Sequence, residues 1–111
     1  MSKIPEKLLM DILADPYYDK CARQKDGGCE GRITFEHSLY YAGRQIQEKF
    51  AIIPLCARHH GVNEWMDRGL LDKEKNEQIA VNRMTKKDEH KYPNVDWKQK
   101  RAYLNGKYGC E

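Results

Sequence analysis

Apolar residues recur along this chain at two different periods, and the changes of period mark the elements. In residues 4–14, Ile4, Leu8, Leu9 and Ile12 fall on one face of a helix. Pro5 suits its first turn, where no intrahelical N–H is needed, and Asp15-Pro16 ends it. Residues 21–31 are a polar loop between two cysteines, with Asp26-Gly27-Gly28 as its turn signal. Arg32 to His37 alternates, with Ile33 and Phe35 on one side, and predicts a strand. Residues 38–50 read as a long connection containing Gly43. The apolar run Phe50 to Leu55 predicts a second strand with Pro54 near its end. A helix is expected from about His59 through Asn63, Glu64, Trp65 and Met66, stopping before Gly69. Residues 72–86 predict another helix, with Asp72 as N-cap and Ile79, Val81 and Met84 as apolar positions. Tyr92-Pro93-Asn94 breaks the chain, and residues 96–104 read as a last short helix. The order α, loop, β, β, α, α, α predicts one α+β domain over 1–111, with a core at about 20–66 and a helical part at about 72–108.

Composition narrows the class. A chain of 111 residues suits one domain with a modest core. Its apolar fraction of 40% excludes a disordered tail. A small polar domain often needs a disulfide or a metal as a staple. The net charge of +3 is unevenly spread, because residues 73–111 hold ten Lys or Arg against six Asp or Glu. That bias fits contact with a polyanion or, equally, a solvated helical face. The N-terminus lacks the apolar run of a secretory signal, and no window reaches the length of a membrane span. A cytoplasmic protein without membrane contact is therefore expected.

In that compartment thiols stay reduced, which turns attention from disulfides to metal. Cys21, Cys29, Cys56 and His59 supply the three thiolates and one imidazole that a structural zinc ion wants. The two-residue gap between Cys56 and His59 lets both converge on one ion. The gap between Cys21 and Cys29 is longer than the usual two to four residues, and Gly27 and Gly28 would let that loop fold back. The alternative is that Cys21 and Cys29 are ordinary thiols. Cys110, beside the C-terminus, reads as a free thiol, and His90 reads as a surface residue.

A second constellation lies beside the first. Glu36 offers a carboxylate that suits Mg²⁺ or Mn²⁺, and His37 has the chemistry of a general base. Such a pair alone is usually an exposed polar strand end. With Cys56 and His59 tethered to zinc, however, His60 is free to point toward the strand pair. Which of the two histidines faces the zinc stays open at this level.

Glu36-His37, a long loop, an apolar strand and Leu55-Cys56-x-x-His59-His60 together resemble the ββα-metal motif of zinc-stapled HNH (His-Me finger) endonucleases. The likeness covers roughly residues 20–66, and Tyr40 to Gln45 is similar to small phage-encoded proteins of this type. The resemblance implies a zinc-stabilised core, Glu36 and His60 as ligands of a catalytic divalent metal, and His37 as the base. It implies cleavage of DNA phosphodiesters that leaves 5′-phosphate and 3′-hydroxyl ends. One departure stands out: Ala51 occupies the place of the motif's middle Asn, so Gln45, Gln47 or a backbone carbonyl must orient His37. Arg44, Lys49 and Arg58 flank the expected cleft and could hold phosphates or be solvated. Asn63 and Glu64 could add a ligand. Lys98, Lys100, Arg101 and Lys107, interleaved with Trp97, Tyr103 and Tyr108, could face DNA or form a helix that packs its aromatics inward. So short a chain leaves target choice to a homodimer or a partner protein. Two non-catalytic rivals are a zinc-containing nucleic-acid-binding module and a zinc-stabilised protein-interaction adaptor.

Overall fold

The computed structural model describes residues 4–109. In chain order these form helix α1 (Glu6–Leu13), strands β1 (Ile33–His37), β2 (Tyr40–Tyr41), β3 (Arg44–Gln45) and β4 (Ile52–Cys56), and helices α2 (Ala57–His60), α3 (Lys73–Arg83), α4 (Lys86–Lys91) and α5 (Trp97–Tyr108). Short 3-10 turns at 16–19, 24–26, 49–51 and 63–65 join them. The architecture is the expected small α+β single domain. None of the described helices is long and apolar enough to cross a membrane.

The spine is an antiparallel ribbon of β1 and β4, in register from Ile33 opposite Cys56 to His37 opposite Ile52. All five residues of β4 are buried, which explains why its sequence is a continuous apolar run rather than an alternation. Pro54 is accommodated because its carbonyl points away from β1 and accepts the Ala22 N–H at 2.7 Å. Pro54 thus stands opposite Phe35 at a position where the ladder needs no N–H.

Two apolar clusters cover the ribbon. On one side Ile52 packs with Ile12 of α1, Tyr18 and Phe35. On the other, Ile53 and Leu55 pack with Ala80 and Val81 of α3, Leu104 of α5, Met84 and Trp97. A two-stranded ribbon is at best marginal by itself, so this helical cover is what makes it persist. The Tyr18 hydroxyl donates to the carbonyls of Lys49 and Ile52, and the Arg83 guanidinium donates to the same two atoms. The entry of β4 is thereby tied to both the N-terminal segment and α3.

Three boundaries differ from the expectations. The helix expected from His59 to Met66 is only one turn, because Gly61 takes a left-handed conformation at φ 73° and closes α2. The chain continues as a separate 3-10 turn. The helix expected over 72–86 stops at Arg83, because Met84 is extended (ψ 137°) and Thr85 begins a capping box with Asp88 that starts α4. Phe50 and Ala51 lie in a 3-10 turn before β4 rather than in the strand. Within the long connection, Ala42 and Gly43 both have positive φ, the backbone of a tight hairpin turn between β2 and β3.

Candidate metal centre

β4 ends at Cys56, and that residue both finishes the strand and caps α2. Its sulfur accepts the His59 N–H at 3.4 Å. This turn brings the His59 imidazole inward, where the residue is fully buried. The loop before β1 returns to the same spot. Arg58 N–H bonds the Glu30 carbonyl, Ala57 N–H bonds the Arg32 carbonyl, and the Arg58 guanidinium donates to the Gly28 carbonyl at 3.1 Å. Gly31 is forced by this closeness, since a Cβ there would meet the Ala57 Cβ at 2.6 Å.

The result is a cluster of Cys21, Cys29, Cys56 and His59 whose four candidate ligand atoms all lie within 4.8 Å of one another. His59 Nδ1 lies 3.4, 3.6 and 3.2 Å from the sulfurs of Cys21, Cys29 and Cys56. A tetrahedral zinc ion with ordinary bond lengths would set that nitrogen–sulfur edge at about 3.6 Å. The cluster could therefore hold a metal ion such as zinc, and it settles on His59 rather than His60 as its imidazole. Its electrostatics point the same way. Burial and the two neighbouring sulfurs push the Cys29 thiol up to about 12. Burial also works against the Cys56 thiolate, but the backbone N–H groups of His59 and Glu30 and the adjacent thiols outweigh it and lower its pKa. Three thiolates crowded this closely would repel one another, and a bound cation would relieve that repulsion.

His60 turns the other way. Thr34 and Glu36 lie two residues apart in β1 and so share a face of the ribbon. Both meet His60. The Thr34 hydroxyl donates to the Leu55 carbonyl at 2.8 Å, so its lone pair accepts the proton of His60 Nδ1 at 2.6 Å. That chain leaves a lone pair on His60 Nε2, which faces Glu36 Oε1 at 3.9 Å. Two ligands of one octahedral ion with bonds of about 2.1 Å stand about 3.0 Å apart when cis and about 4.2 Å when trans. The observed separation falls between these two values, so the side chains would shift slightly for one such ion to be held by both. Burial, and secondarily Lys73, holds the His60 imidazole below its usual pKa and therefore neutral. Burial raises the Glu36 pKa, opposed by a hydrogen bond from Asn76 and by the charges of Lys73 and Arg23. One imidazole nitrogen and one carboxylate oxygen are a donor pair that could take part in holding a divalent ion, the carboxylate favouring a hard one such as Mg²⁺ or Mn²⁺.

His37 ends β1, and its Nε2 lies 2.8 Å from Gln47 Oε1. With the amide oxygen facing the ring, Nε2 carries the proton and Nδ1 the lone pair. Of the three groups expected to replace the missing Asn, it is Gln47 that contacts the ring. Ala51 is fully buried and hydrogen-bonds through its backbone alone, its carbonyl accepting the Ser38 N–H at 2.8 Å and its N–H reaching the Glu48 carbonyl at 3.0 Å.

The flanking cations separate into kinds. Lys49 is paired with Asp15 at 2.7 Å. Arg58 spans the Gly28 carbonyl and the face of Trp65, 5.2 Å from the ring centroid. Arg44 is exposed on the hairpin, with no ion pair among the described residues. Asn63 and Glu64 are exposed in their 3-10 turn, and His90 is exposed as expected. In the C-terminal helix Lys100, Arg101 and Lys107 pair with Glu77, Glu89 and Glu74. Trp97 is buried and Tyr103 is exposed, so the helix turns its large ring inward. Cys110 lies outside the described residues. Sequence reasoning missed Thr34, Asn76 and Lys73. Strand alternation from Glu36 could have found Thr34.

No family model, no curated protein and no solved structure matches the chain.

Proposed function

We propose that this protein is a metal-dependent endonuclease that hydrolyses DNA phosphodiester bonds, with an HNH-type ββα-metal core stapled by zinc at Cys21, Cys29, Cys56 and His59. The observation that carries the reading is the pair of His60 Nε2 and Glu36 Oε1, two lone-pair donors facing each other at 3.9 Å beside a separate thiolate cluster. Such an arrangement of bases invites a divalent cation between them.

A bound Mg²⁺ or Mn²⁺ would neutralise charge on the phosphoryl group and on the leaving 3′-oxygen. Glu36 and His60 hold it. His37 takes the proton of the attacking water at Nδ1, because Gln47 keeps the proton on Nε2. Thr34 keeps the His60 Nε2 lone pair available by occupying Nδ1. Lys73, exposed at the start of α3 and close enough to bias both Glu36 and His60, offers a cation to an adjacent phosphate.

The test is nicking of supercoiled plasmid by zinc-loaded protein with Mg²⁺ or Mn²⁺ added. Wild type should nick, and His37→Ala and His60→Ala should not. Equal behaviour of all three proteins across metals would remove the nuclease reading. A second reading, a nucleic-acid-binding zinc module without catalysis, is favoured by Ala51. It expects salt-dependent DNA binding that survives both substitutions, with no nicking.

A further inference from the structure

Asn76 is a polar residue in the buried face of α3. It sits on α3 one helical turn from Ala80, and only 1% of its surface is exposed. Its Nδ2 donates to Glu36 Oε2 at 2.6 Å, across forty residues of sequence. Its own Oδ1 is buried without a partner. Burying an amide oxygen with no hydrogen-bond partner destabilises a fold. The contact with Glu36 is the one interaction in return.

That contact divides the carboxylate. Oε2 is occupied by Asn76, and Oε1 faces His60. A carboxylate held this way presents Oε1 unencumbered to a cation, whereas a cation taking Oε2 as well would have to compete with the Asn76 N–H for that oxygen. Small ions such as Mg²⁺ and Mn²⁺ take single oxygen ligands at octahedral positions, whereas Ca²⁺ is larger, takes six to eight ligands and readily accepts a carboxylate through both oxygens. We infer that Asn76 is a positioning residue that biases Glu36 toward one-oxygen coordination and thereby makes the Glu36–His60 site select small octahedral cations against Ca²⁺. The inference rests on reading Glu36 and His60 as a divalent-metal site. It does not depend on the chemistry performed there.

The experiment measures Mn²⁺ binding to zinc-loaded full-length protein by electron paramagnetic resonance, with Ca²⁺ as competitor. Wild type should bind one Mn²⁺ in addition to its zinc and prefer Mn²⁺ over Ca²⁺. Asn76→Ala should weaken Mn²⁺ by about 10–100-fold, the usual cost of losing a group that orients a ligand. The Mn²⁺-over-Ca²⁺ preference should fall with it, by about tenfold, because Ca²⁺ regains the second oxygen. A merely structural role would lower both affinities equally and leave the preference unchanged. Asn76→Leu, which keeps a similar shape and removes the donor without adding charge, serves if the alanine variant does not fold, and it should lose the preference as well. Retention of the wild-type preference in the folded variants overturns the role of Asn76, while Mn²⁺ binding that Glu36→Gln abolishes keeps the site itself. If wild type binds no Mn²⁺, the site and the inference fall together.

Discussion

His59 and His60 are neighbours in the chain, yet their imidazoles belong to different surroundings. Nδ1 of His59 lies within 3.6 Å of three sulfurs, whereas Nε2 of His60 faces the Glu36 carboxylate. Successive residues of one helical turn diverge by about 100°, so a single turn suffices to aim one ring into the scaffold and the other out of it. α2 is no longer than this task requires. Cys56 starts it and the left-handed Gly61 ends it.

The first prediction concerns the thiolate cluster. Zinc binding to such sites is worth on the order of 10 kcal/mol at neutral pH, comparable to the whole stability of a small domain, about 5–15 kcal/mol. Purified protein should contain one zinc per chain by elemental analysis. A strong chelator, or Cys56→Ser, should abolish the cooperative melt seen by circular dichroism. An unchanged melting temperature in either case would disprove the staple.

A second prediction separates the base from the residue that orients it. His37→Ala should lower plasmid nicking by about 10²–10⁴-fold, the usual worth of a general base. Gln47→Ala should cost less, about tenfold, because the ring remains and only its preferred tautomer is lost. Zinc content and melting temperature should stay at wild-type values in both. A Gln47→Ala protein that nicks at the full rate would show that the 2.8 Å contact does not set the tautomer.

Titration supplies a third. Burial raises the Glu36 pKa, so this carboxyl contributes stability at pH below its unfolded value and gives it up as pH rises through the higher folded value. His60 runs the opposite way: burial and Lys73 depress its pKa, so its contribution is present above the unfolded value and lost as pH falls through the lower folded one. In zinc-loaded protein free of other divalent ions, Glu36→Gln should therefore melt above wild type. The gap should widen as pH rises from the ordinary carboxyl value of 4.5 through the higher value of the folded protein, and level off above it. Added Mn²⁺ should stabilise wild type alone and reverse the order. A gap that shrinks with rising pH would contradict the assignment.

The fourth prediction sorts the cations by what they already hold. Arg44, without an ion pair among the described residues, should contribute to DNA affinity, and Arg44→Ala should reduce the magnitude of the slope of log affinity against log salt by about 0.9. Lys49→Ala should leave the slope unchanged, because its ammonium is paired with Asp15. Arg58→Ala should act on stability through the lost Gly28 contact and the bared Trp65 face. Fluorescence anisotropy across a salt series, beside thermal melts, distinguishes the three.

The sequence was most informative where chemistry sits close together along the chain. The pairing of Cys56 with His59 and the strand placing Glu36 follow from short spacing and from strand alternation, whereas spacing alone leaves open which of His59 and His60 turns toward the sulfurs. What escaped was carried by distance or by backbone conformation. Asn76 reaches Glu36 from another helix, and no local periodicity links them. The early end of α2 depends on Gly61 adopting positive φ, although a Gly there was visible. The basic tilt of the C-terminal third is real, but much of it is spent on internal partners, since Lys100, Arg101 and Lys107 each meet a glutamate. Counting charges could not reveal that pairing.

The β1–β4 ribbon is gripped at both extremities. Cys56 fastens one end of β4 to the thiolate cluster, and the Ile52 carbonyl at the other end is held by Tyr18 and Arg83. A beam supported at two points cannot swing at mid-span as a cantilever can. Both ends of the strand opposite Glu36 are thereby anchored. An ion held between Glu36 and His60 would then put little of its binding energy into ordering that strand.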